Sequence, residues 1–370
     1  MVYLDNAATT LPKPKSVIKA TEECIKKYCA NSGRSSHRAA VKTAEEIFKV
    51  RERISDFLGI DAPERVVFTT NATYALNFAI KSIIKSKCHV LVSDLEHNST
   101  IRPINSLARA LGVEYSVFSS DGDIYENAKS LIRKDTEAIV STVLSNVTGK
   151  EIPISILCDL AKDYGLKLII DASQLLGHKT INLSLYHCDA LCAPGHKGLF
   201  GIQGCGFCVF ADSEYEATII EGGSGNESLN PNMPRLLPEH FEAGTLPSPS
   251  IISLGKGLEY INNIGICECE ERISKLTKRF YNRILDIRNI EVYGKENGII
   301  SFRIKGIPTE SASALLAKRG ICIRGGLHCA PLAHAKVGTL DTGLIRVSLS
   351  IFNNERQADL LWKELREITK

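Results

Sequence analysis

Long hydrophobic runs and a large net charge are both missing from this sequence. No apolar stretch approaches the roughly 20 residues that a membrane-spanning helix needs. The 45 lysines and arginines nearly balance the 42 aspartates and glutamates, and a formal charge of +3 leaves no nucleic-acid footprint. The start, Met1 to Asp5, lacks a basic segment followed by an apolar one. We therefore see no secretory signal and expect a cytoplasmic protein.

Length and composition describe an ordinary globular protein larger than one small domain. With 370 residues the chain is long enough for two domains, or for a large and a smaller lobe. Hydrophobic residues make up 44% and charged residues 24%, a balance that supports a sizeable core. Basic and acidic side chains are interleaved, as in residues 42–52, which is typical of a solvated helix face. We therefore expect neither a membrane nor a nucleic acid as a direct partner.

The twelve cysteines are expected to be reduced. A chain of this size without a secretory signal is more typical of free thiols than of a disulfide framework. Most of them have apolar neighbours, as Cys192 and Cys208 do, and such cysteines behave as small buried hydrophobes. Cys205 and Cys208 have the two-residue spacing of a zinc site, but the sequence offers no second pair of suitable spacing. No metal site is expected.

Short apolar runs alternate with helix-like stretches through the earlier part of the chain. The pattern predicts buried strands at 66–68, 88–92, 138–141 and 166–170, and helices at 72–84, 101–111 and 154–164. This alternation favours a largely parallel sheet that is covered on both faces. Ligands of such sheets gather at the carboxyl ends of the strands, where the connecting loops meet.

The pattern changes after about residue 253. It predicts helices over 252–264 and 270–288, alternating strands at 299–304 and 344–349, and a closing helix at 354–368. Apolar and polar residues alternate in half-exposed strands, so this part predicts a smaller α+β lobe. We expect a large domain at 15–252 and a small domain made of 1–14 and 253–370.

Asp171 directly follows the most apolar of the predicted strands, at 168–170. An aspartate at this position faces the crevice between the connecting loops. One interpretation is a helix N-cap, because aspartate is a favoured capping residue. The other is an anion that holds a protonated pyridine nitrogen of a bound cofactor.

Lys197 lies among small, turn-forming residues at 193–198, after a strand-like segment at 188–192 and 26 residues beyond Asp171. Most lysines are exposed, and this one can be an ordinary surface residue. A lysine in a crowded crevice can instead have a lowered pKa and form a Schiff base. The neighbouring His196 could then donate a hydrogen bond to a phosphate.

Residues 69–73 connect a predicted strand to the helix that follows, and they are small or carry hydroxyl groups. Such residues leave backbone N–H groups free at the helix N-terminus, where the helix dipole also favours an anion. The segment is consistent with a phosphate site, although the same residues serve any N-cap.

Residues 324–330 are expected to form a loop, since Gly325 and Gly326 stand on one side and Pro331 follows. A cysteine in such a loop, Cys329, is expected to be exposed. Arg324 lies near it in sequence, and cationic neighbours favour the thiolate form of a cysteine. The alternative is an incidental surface cysteine.

Together these segments resemble the class V aminotransferases, and among them the cysteine desulfurases. The resemblance covers nearly the whole chain and rests on eight segments in the same order. They are residues 3–10, 96–99, 145–149, 171–174, 195–197, 241–245 and 324–330, with Arg346. It implies a pyridoxal 5'-phosphate (PLP) enzyme of fold type I. Its large domain would have a mostly parallel seven-stranded sheet between helices, beside a smaller α+β domain.

The resemblance also implies a role for each matching residue toward PLP. Lys197 would attach the cofactor covalently, Asp171 would pair with the pyridinium nitrogen, and His97 would stack on the ring. Further groups would bind the ring hydroxyl or the phosphate, namely Gln174, Ala72, Thr73 and His196. Thr245 would reach the phosphate held by the partner subunit of a homodimer.

The implied reaction converts L-cysteine to L-alanine. Asn146 and Arg346 would hold the substrate carboxylate, with Arg324 and His37 nearby. Cys329 would be the nucleophile, and it would carry the sulfur as a persulfide for transfer to an acceptor protein.

The segment at 324–330 resembles the Suf-type branch, which includes selenocysteine lyases, with two departures. Pro194 stands where relatives often have serine, and Leu327 stands where a second histidine is common. Selenocysteine lyase, cysteine sulfinate desulfinase and a cysteine lyase of the same fold therefore stay open as alternatives. A binding protein that has lost its chemistry is a further alternative, disfavoured by the joint presence of Lys197, Asp171, His97 and Arg346.

Overall fold

The computed structural model describes residues 1–33 and 35–370. In chain order the strands are β1 Val2–Tyr3, β2 Val66–Thr69, β3 His89–Ser93, β4 Glu114–Phe118, β5 Thr136–Thr142, β6 Lys167–Asp171, β7 Ala190–Pro194, β8 Gly206–Phe210, β9 Ile290–Glu296, β10 Ile299–Ile304, β11 Ile321–Cys322, β12 Arg324–Gly326 and β13 Leu344–Ser348. The α-helices are α1 Lys15–Lys27, α2 Arg38–Phe57, α3 Ala72–Ile83, α4 Asn98–Leu111, α5 Ile124–Lys129, α6 Ile154–Tyr164, α7 Ser248–Ile264, α8 Ile266–Leu285, α9 Thr309–Lys318, α10 Pro331–Lys336 and α11 Glu355–Ile368. No α-helix within these residues is long and apolar enough to span a membrane.

A seven-stranded sheet forms the centre of the molecule, with the order β2-β8-β7-β6-β5-β3-β4. β8 runs antiparallel to both of its neighbours, and every other pair in this sheet is parallel. The inner strands β3, β7 and β8 are buried along their whole length, because helices cover both faces of the sheet. The predicted fold class, an α/β protein with a mostly parallel sheet of seven strands, is confirmed.

The helices of this part begin close to where the sequence predicts them. α6 has the predicted bounds, and α3 ends one residue before its predicted end. α4 starts three residues earlier than predicted, because the ring of His97 accepts a hydrogen bond from the backbone N–H of Ser99 and acts as the N-cap. This cap places His97 at the junction between β3 and α4.

The second sheet, β12-β13-β10-β9, is antiparallel and packs with α8, α9 and α11 around a separate apolar core. β1 pairs in parallel with β11 and thereby ties the start of the chain to this smaller part. α7 runs through residue 252 and packs against α1 and α2 beneath the central sheet. The domain limits drawn from the sequence remain a prediction.

Residues 324–326 are a strand, and the prediction of a loop over 324–330 was wrong for this part. β12 pairs with β13 so that Arg324 lies opposite Arg346. A side chain at Gly325 would meet the backbone oxygen of Thr309 at 2.5 Å, so glycine here allows β12 to pack closely against α9. Gly325, which indicated a turn, is needed for this close contact.

A buried ion pair joins the sheet to the segment at 241–245. Arg51 on α2 donates to Glu242 at 2.5 Å and to the backbone oxygen of Val66. Glu242 also accepts from the backbone N–H of Phe68 at 2.6 Å. Both charged groups are satisfied by hydrogen bonds, which a buried pair requires. The pair fixes the position of the segment that ends at Thr245.

Candidate active site

The candidate active site lies at the carboxyl ends of the parallel strands. His97 follows β3, Asn146 follows β5, Asp171 ends β6 and Lys197 follows β7, so four neighbouring strands bring these side chains to one edge. They line one cavity together with Asn71, Ala72, Thr73, Leu95, Ser99, Thr142, Leu144, Ser173, Gln174, Pro194 and His196. Eight of the thirteen residues to which the sequence assigns a site role therefore share this cavity.

Lys197 is the one amine among the residues that line the cavity. Its pKa is lowered from 10.5 to about 8, mainly by burial and also by the nearby cations Arg346 and Arg324, while Asp171 opposes these effects. Asp171 is buried, and its Oδ1 accepts from the backbone N–H of Ser173 at 2.9 Å. A lysine with this pKa has a sizeable neutral fraction near pH 7, so its amine can act as a nucleophile and a base.

His97 is held in one tautomer by its own cap. Its Nδ1 accepts from the backbone N–H of Ser99 at 3.1 Å, and the Ser99 hydroxyl lies 2.9 Å from the same atom. The remaining proton is therefore on Nε2. Burial lowers the pKa of His97 to about 4, against the attraction of Asp171. A neutral imidazole is suited to stacking on an aromatic ring, rather than to binding an anion as a cation.

An anion cradle lies at the start of α3. Asn71 caps this helix, and Ala72 and Thr73 line the cavity next to His196. His196 Nδ1 is buried and has no hydrogen-bond partner, while burial lowers the pKa of His196 to about 4. A side chain at Gly206 would meet the backbone of Asn71 at 2.5 Å, so glycine lets the cradle rest on β8. A phosphate would supply the partner that His196 lacks.

Ser99 belongs to the site, although the sequence reasoning assigned it no role. Its hydroxyl lies 2.8 Å from the Thr73 hydroxyl and 2.9 Å from His97 Nδ1, so it connects the cradle to the imidazole. It is part of the segment at 96–99 on which the resemblance rests. That segment was the available signal, because a hydroxyl two residues after a capping side chain can reach back to it.

Gln174 is fixed between the cavity and the start of the chain. Its Nε2 donates to the backbone oxygen of Ala7 at 3.1 Å. This bond leaves the amide oxygen as the group that can accept a hydrogen bond on the cavity side. Gln174 therefore fits a partner that donates, such as a ring hydroxyl.

Cys329 is exposed, but its backbone is anchored. His328 and Cys329 have φ values of +51° and +57°, a conformation that is uncommon for residues other than glycine. Asn146 Nδ2 donates to the oxygen of His328 at 2.8 Å, and the N–H of Asn98 donates to the oxygen of Cys329 at 2.7 Å. The Arg324 guanidinium lies 4.0 Å from the Cys329 sulfur. The thiol is thus presented beside a cation and next to the cavity.

Arg346 is a buried cation on β13, with 1% of its surface exposed. It donates to Asp5 at 2.8 Å and to the backbone oxygen of Asn146 at 3.0 Å, while its Nε has no partner. Burial lowers its pKa, and Asp5 opposes this effect. Arg324 lies opposite Arg346 in the β12–β13 register and also lowers its pKa, so the two cations are near enough to act on the same carboxylate.

Two residues with predicted roles lie elsewhere in the chain. His37 is exposed and caps α2, where its ring accepts from the N–H of Ala40 at 3.3 Å. Thr245 is exposed, and its hydroxyl accepts from Asn31 at 3.2 Å. Neither is among the residues that line the cavity. Their predicted roles, for Thr245 in the site of a partner subunit and for His37 near the substrate carboxylate, stay predictions.

No metal cluster is found among the described residues. Cys205 and Cys208, which have the spacing of a zinc pair, are both buried, and Cys208 lies 3.6 Å from Cys192 inside the sheet. Their surroundings are apolar, which fits the expectation that these cysteines pack as hydrophobes.

The chain matches the family model of class V aminotransferases over residues 2–361. It is 31% identical to the "Probable cysteine desulfurase" of Methanothermobacter thermautotrophicus, over 99% of this chain and 94% of that protein. It is 27% identical to the cysteine desulfurase of Escherichia coli, over 100% of this chain and 93% of that protein.

A solved structure of similar fold is the apo cysteine desulfurase from Thermococcus onnurineus. It superposes with a TM-score of 0.90 at 29% identity, covering 100% of this chain and 94% of the other. A cysteine desulfurase from Escherichia coli also superposes with a TM-score of 0.90, at 22% identity and over 99% of this chain and 94% of the other. This chain belongs to the class V aminotransferase family, and within it to the cysteine desulfurases.

Proposed function

We propose that this protein is a PLP-dependent cysteine desulfurase that converts L-cysteine to L-alanine and retains the sulfur as a persulfide on Cys329. One observation carries the assignment of the nucleophile. The Cys329 thiol lies 4.0 Å from the Arg324 guanidinium, on a backbone hydrogen bonded to Asn98, the neighbour of His97. An exposed thiol beside a cation and an amine-bearing cavity is suited to attack on sulfur.

The residues of the cavity fit PLP. The unpartnered Nδ1 of His196 and the start of α3 suit the phosphate, Asp171 suits the pyridinium nitrogen, and Gln174 suits the ring hydroxyl. Lys197 is the amine that would attach the cofactor. When bound, PLP supplies an electron sink for the charge that develops when the substrate loses its α-proton.

The substrate carboxylate would be bound by Arg346 and by the side chain of Asn146. Arg346 is already held by Asp5 and by the backbone of Asn146, so it keeps its orientation when a second anion arrives. Lys197 Nζ would then take the α-proton, since its lowered pKa makes the neutral amine available near pH 7. Asn146 also anchors His328, and it thereby couples the carboxylate site to the Cys329 backbone.

Sulfur transfer requires no external oxidant. The Cys329 thiolate attacks the substrate sulfur, so an S–S bond forms while the C–S bond of the substrate breaks. The electron pair of the broken bond stays with the substrate carbon, which takes up a proton and becomes the methyl group of alanine. Cysteine and the Cys329 thiol are converted to alanine and a Cys329 persulfide, with atoms and electrons balanced. The persulfide, exposed as Cys329 is, can be reached by an acceptor protein.

The proposal is tested with the purified protein, PLP, L-cysteine and dithiothreitol. We expect alanine and sulfide in equal amounts, with a turnover that depends on added cysteine. Pyruvate and ammonia in place of alanine would indicate a cysteine lyase instead. A protein that takes up PLP but yields no product from cysteine would be tested with selenocysteine and cysteine sulfinate, and turnover of only one of these would replace the proposed substrate.

A homodimer is part of the proposed function, with Thr245 acting on the site of the partner subunit. The Arg51–Glu242 pair fixes the segment at 241–245, and the hydroxyl of Thr245 is exposed. An exposed, firmly positioned hydroxyl outside its own cavity is suited to complete the phosphate cradle of a second copy.

Subunit mixing tests this arrangement. Thr245→Val is expected to lower the affinity for PLP about tenfold, since it removes one hydrogen bond to a charged group. Dimers with one Thr245→Val subunit and one Lys197→Ala subunit would then contain one intact site. We expect these mixed dimers to regain activity that neither variant has alone at limiting PLP. Mixed dimers without such a gain would place Thr245 in its own subunit's site or outside it.

A further inference from the structure

Behind Cys329, three buried side chains form a hydrogen-bonded chain that has no part in the steps above. His328 Nε2 lies 3.4 Å from the backbone oxygen of Arg324, and His328 Nδ1 lies 3.3 Å from His334 Nε2. His334 Nδ1 lies 2.8 Å from the hydroxyl of Thr339. The two imidazole rings stack with an angle of 15° between their planes. His334 and Thr339 are completely buried, and His328 nearly so.

The direction of this chain is fixed at one end. The oxygen of Arg324 can only accept a hydrogen bond, so His328 Nε2 must carry the proton. In a neutral ring the His328 Nδ1 then accepts, and His334 Nε2 must be its donor. His334 Nδ1 in turn accepts from the Thr339 hydroxyl. Burial lowers the pKa of His328 to about 2 and also lowers that of His334, so both rings are neutral.

We propose that His334 is a positioning residue for Cys329. Its ring is held by the Thr339 hydroxyl and in turn locks the ring of His328 against the carbonyl oxygen of Arg324. The reason lies in the backbone. His328 and Cys329 both have positive φ values, which are strained for residues other than glycine and persist only where neighbouring contacts impose them. The two backbone oxygens are held by Asn146 and Asn98, and the chain of rings holds the side chain of His328.

The same row of hydrogen bonds also fixes Arg324. Its backbone oxygen accepts from His328, and its guanidinium lies 4.0 Å from the Cys329 thiol. A shift of the His328 ring would therefore also displace Arg324 relative to Cys329. His334 is carried by α10, which Lys336 ties to Asp94 at 2.7 Å and to Ser120 at 2.6 Å on the large sheet's loops. His334 is therefore a rigid support rather than a mobile group.

The inference rests on the proposed function, and Thr339→Val tests it with little change in shape. This variant removes the donor to His334 and leaves the ring free to turn. We expect kcat for alanine formation to fall about fivefold, the effect of one lost hydrogen bond, and KM for cysteine to stay within about twofold. Thr339→Ser keeps the hydroxyl and is expected to restore kcat. His334→Leu removes both bonds and is expected to lower kcat at least tenfold.

A second measurement does not require turnover. The protein is treated with iodoacetamide, and alkylation of Cys329 is compared with that of Cys267, an exposed cysteine on α8, by peptide mass spectrometry. We expect the ratio to fall in Thr339→Val and to recover in Thr339→Ser, because the thiol is no longer held beside Arg324. Thr277→Val is the matched control, since Thr277 is a buried threonine whose hydroxyl bonds within α8 and to Gly298. It should lower the melting temperature without changing the ratio.

The outcomes separate the two proposals. A wild-type protein that forms no alanine contradicts the proposed function, while the alkylation ratio still tests the position of Cys329. A Thr339→Val protein with unchanged kcat and an unchanged or higher alkylation ratio overturns the role of His334. If His334→Leu does not fold, the comparison of valine with serine at position 339 decides alone.

Discussion

Replacing Cys329 with alanine is expected to lower the rate of alanine formation from L-cysteine by at least about a thousandfold, the scale expected when a covalent nucleophile is removed. The cavity residues can still bind the substrate and take its α-proton in this variant. No group is then left beside Arg324 to accept the sulfur, since the thiol is the atom that the guanidinium approaches at 4.0 Å. Alanine is measured by chromatography in single-turnover and steady-state experiments.

The variant is informative because Cys329 is not among the residues that line the cavity. We therefore expect Cys329→Ala to take up PLP with the same stoichiometry as the wild type and to show the visible absorbance of lysine-bound PLP. Cys267→Ala, which removes another exposed thiol, serves as the control and should keep full activity. Equal alanine formation by Cys329→Ala and wild type would show that the sulfur leaves without a persulfide on this residue.

The sequence was sufficient to predict the parts of the site that follow directly from strand order. Asp171 and Lys197 stand after consecutive apolar runs, and parallel strands bring their carboxyl ends to one edge of the sheet. The helix start at 69–73 was predicted for the same reason, because hydroxyl and small residues after a strand indicate a cap. These local patterns, together with the order of the eight segments, indicated the class V aminotransferase family.

Features that depend on contacts between distant segments could not be predicted in this way. Gly325 suggested a turn, yet it lies in strand β12. Glycine is needed there because α9 packs so closely that a side chain would come within 2.5 Å of Thr309. The anchoring of the Cys329 backbone depends on Asn98 and Asn146, which are about 200 residues away in sequence. The spacing of residues along the sequence does not reveal such contacts, because they form only when the two lobes pack together.

Replacing Lys197 with alanine is expected to abolish covalent attachment of PLP and to lower alanine formation by at least about a thousandfold. The variant loses the amine that attaches the cofactor and, in the proposed mechanism, the base that takes the α-proton. After reduction with borohydride, mass spectrometry of the wild type should find PLP on the peptide with Lys197, and the variant should carry none. Phosphate binding should survive, since His196 and the start of α3 are unchanged.

Lys13→Ala is a demanding control for this assignment. Lys13 donates to the backbone oxygen of His196 at 2.9 Å, and burial also lowers its pKa to about 8, so a lowered pKa near the cavity is not enough to identify the attachment site. Of these two lysines, only Lys197 lines the cavity, together with Asp171. Reduced PLP should therefore remain on Lys197 in the Lys13→Ala protein. A label that moved to Lys13, or that vanished in Lys13→Ala, would contradict the role given to Lys197.

The rate of PLP uptake should report the lowered pKa of Lys197. Only the neutral amine adds to an aldehyde, and the pKa of about 8 leaves roughly a tenth of the amine neutral at pH 7. Because the folded-state pKa lies below the usual 10.5, the neutral fraction rises as pH increases through 8 and changes little above it. Uptake by the apo protein should therefore increase several-fold from pH 7 to 8 and level off by about pH 9. A rate that keeps rising toward pH 10 would mean that the amine is not desolvated before the cofactor binds.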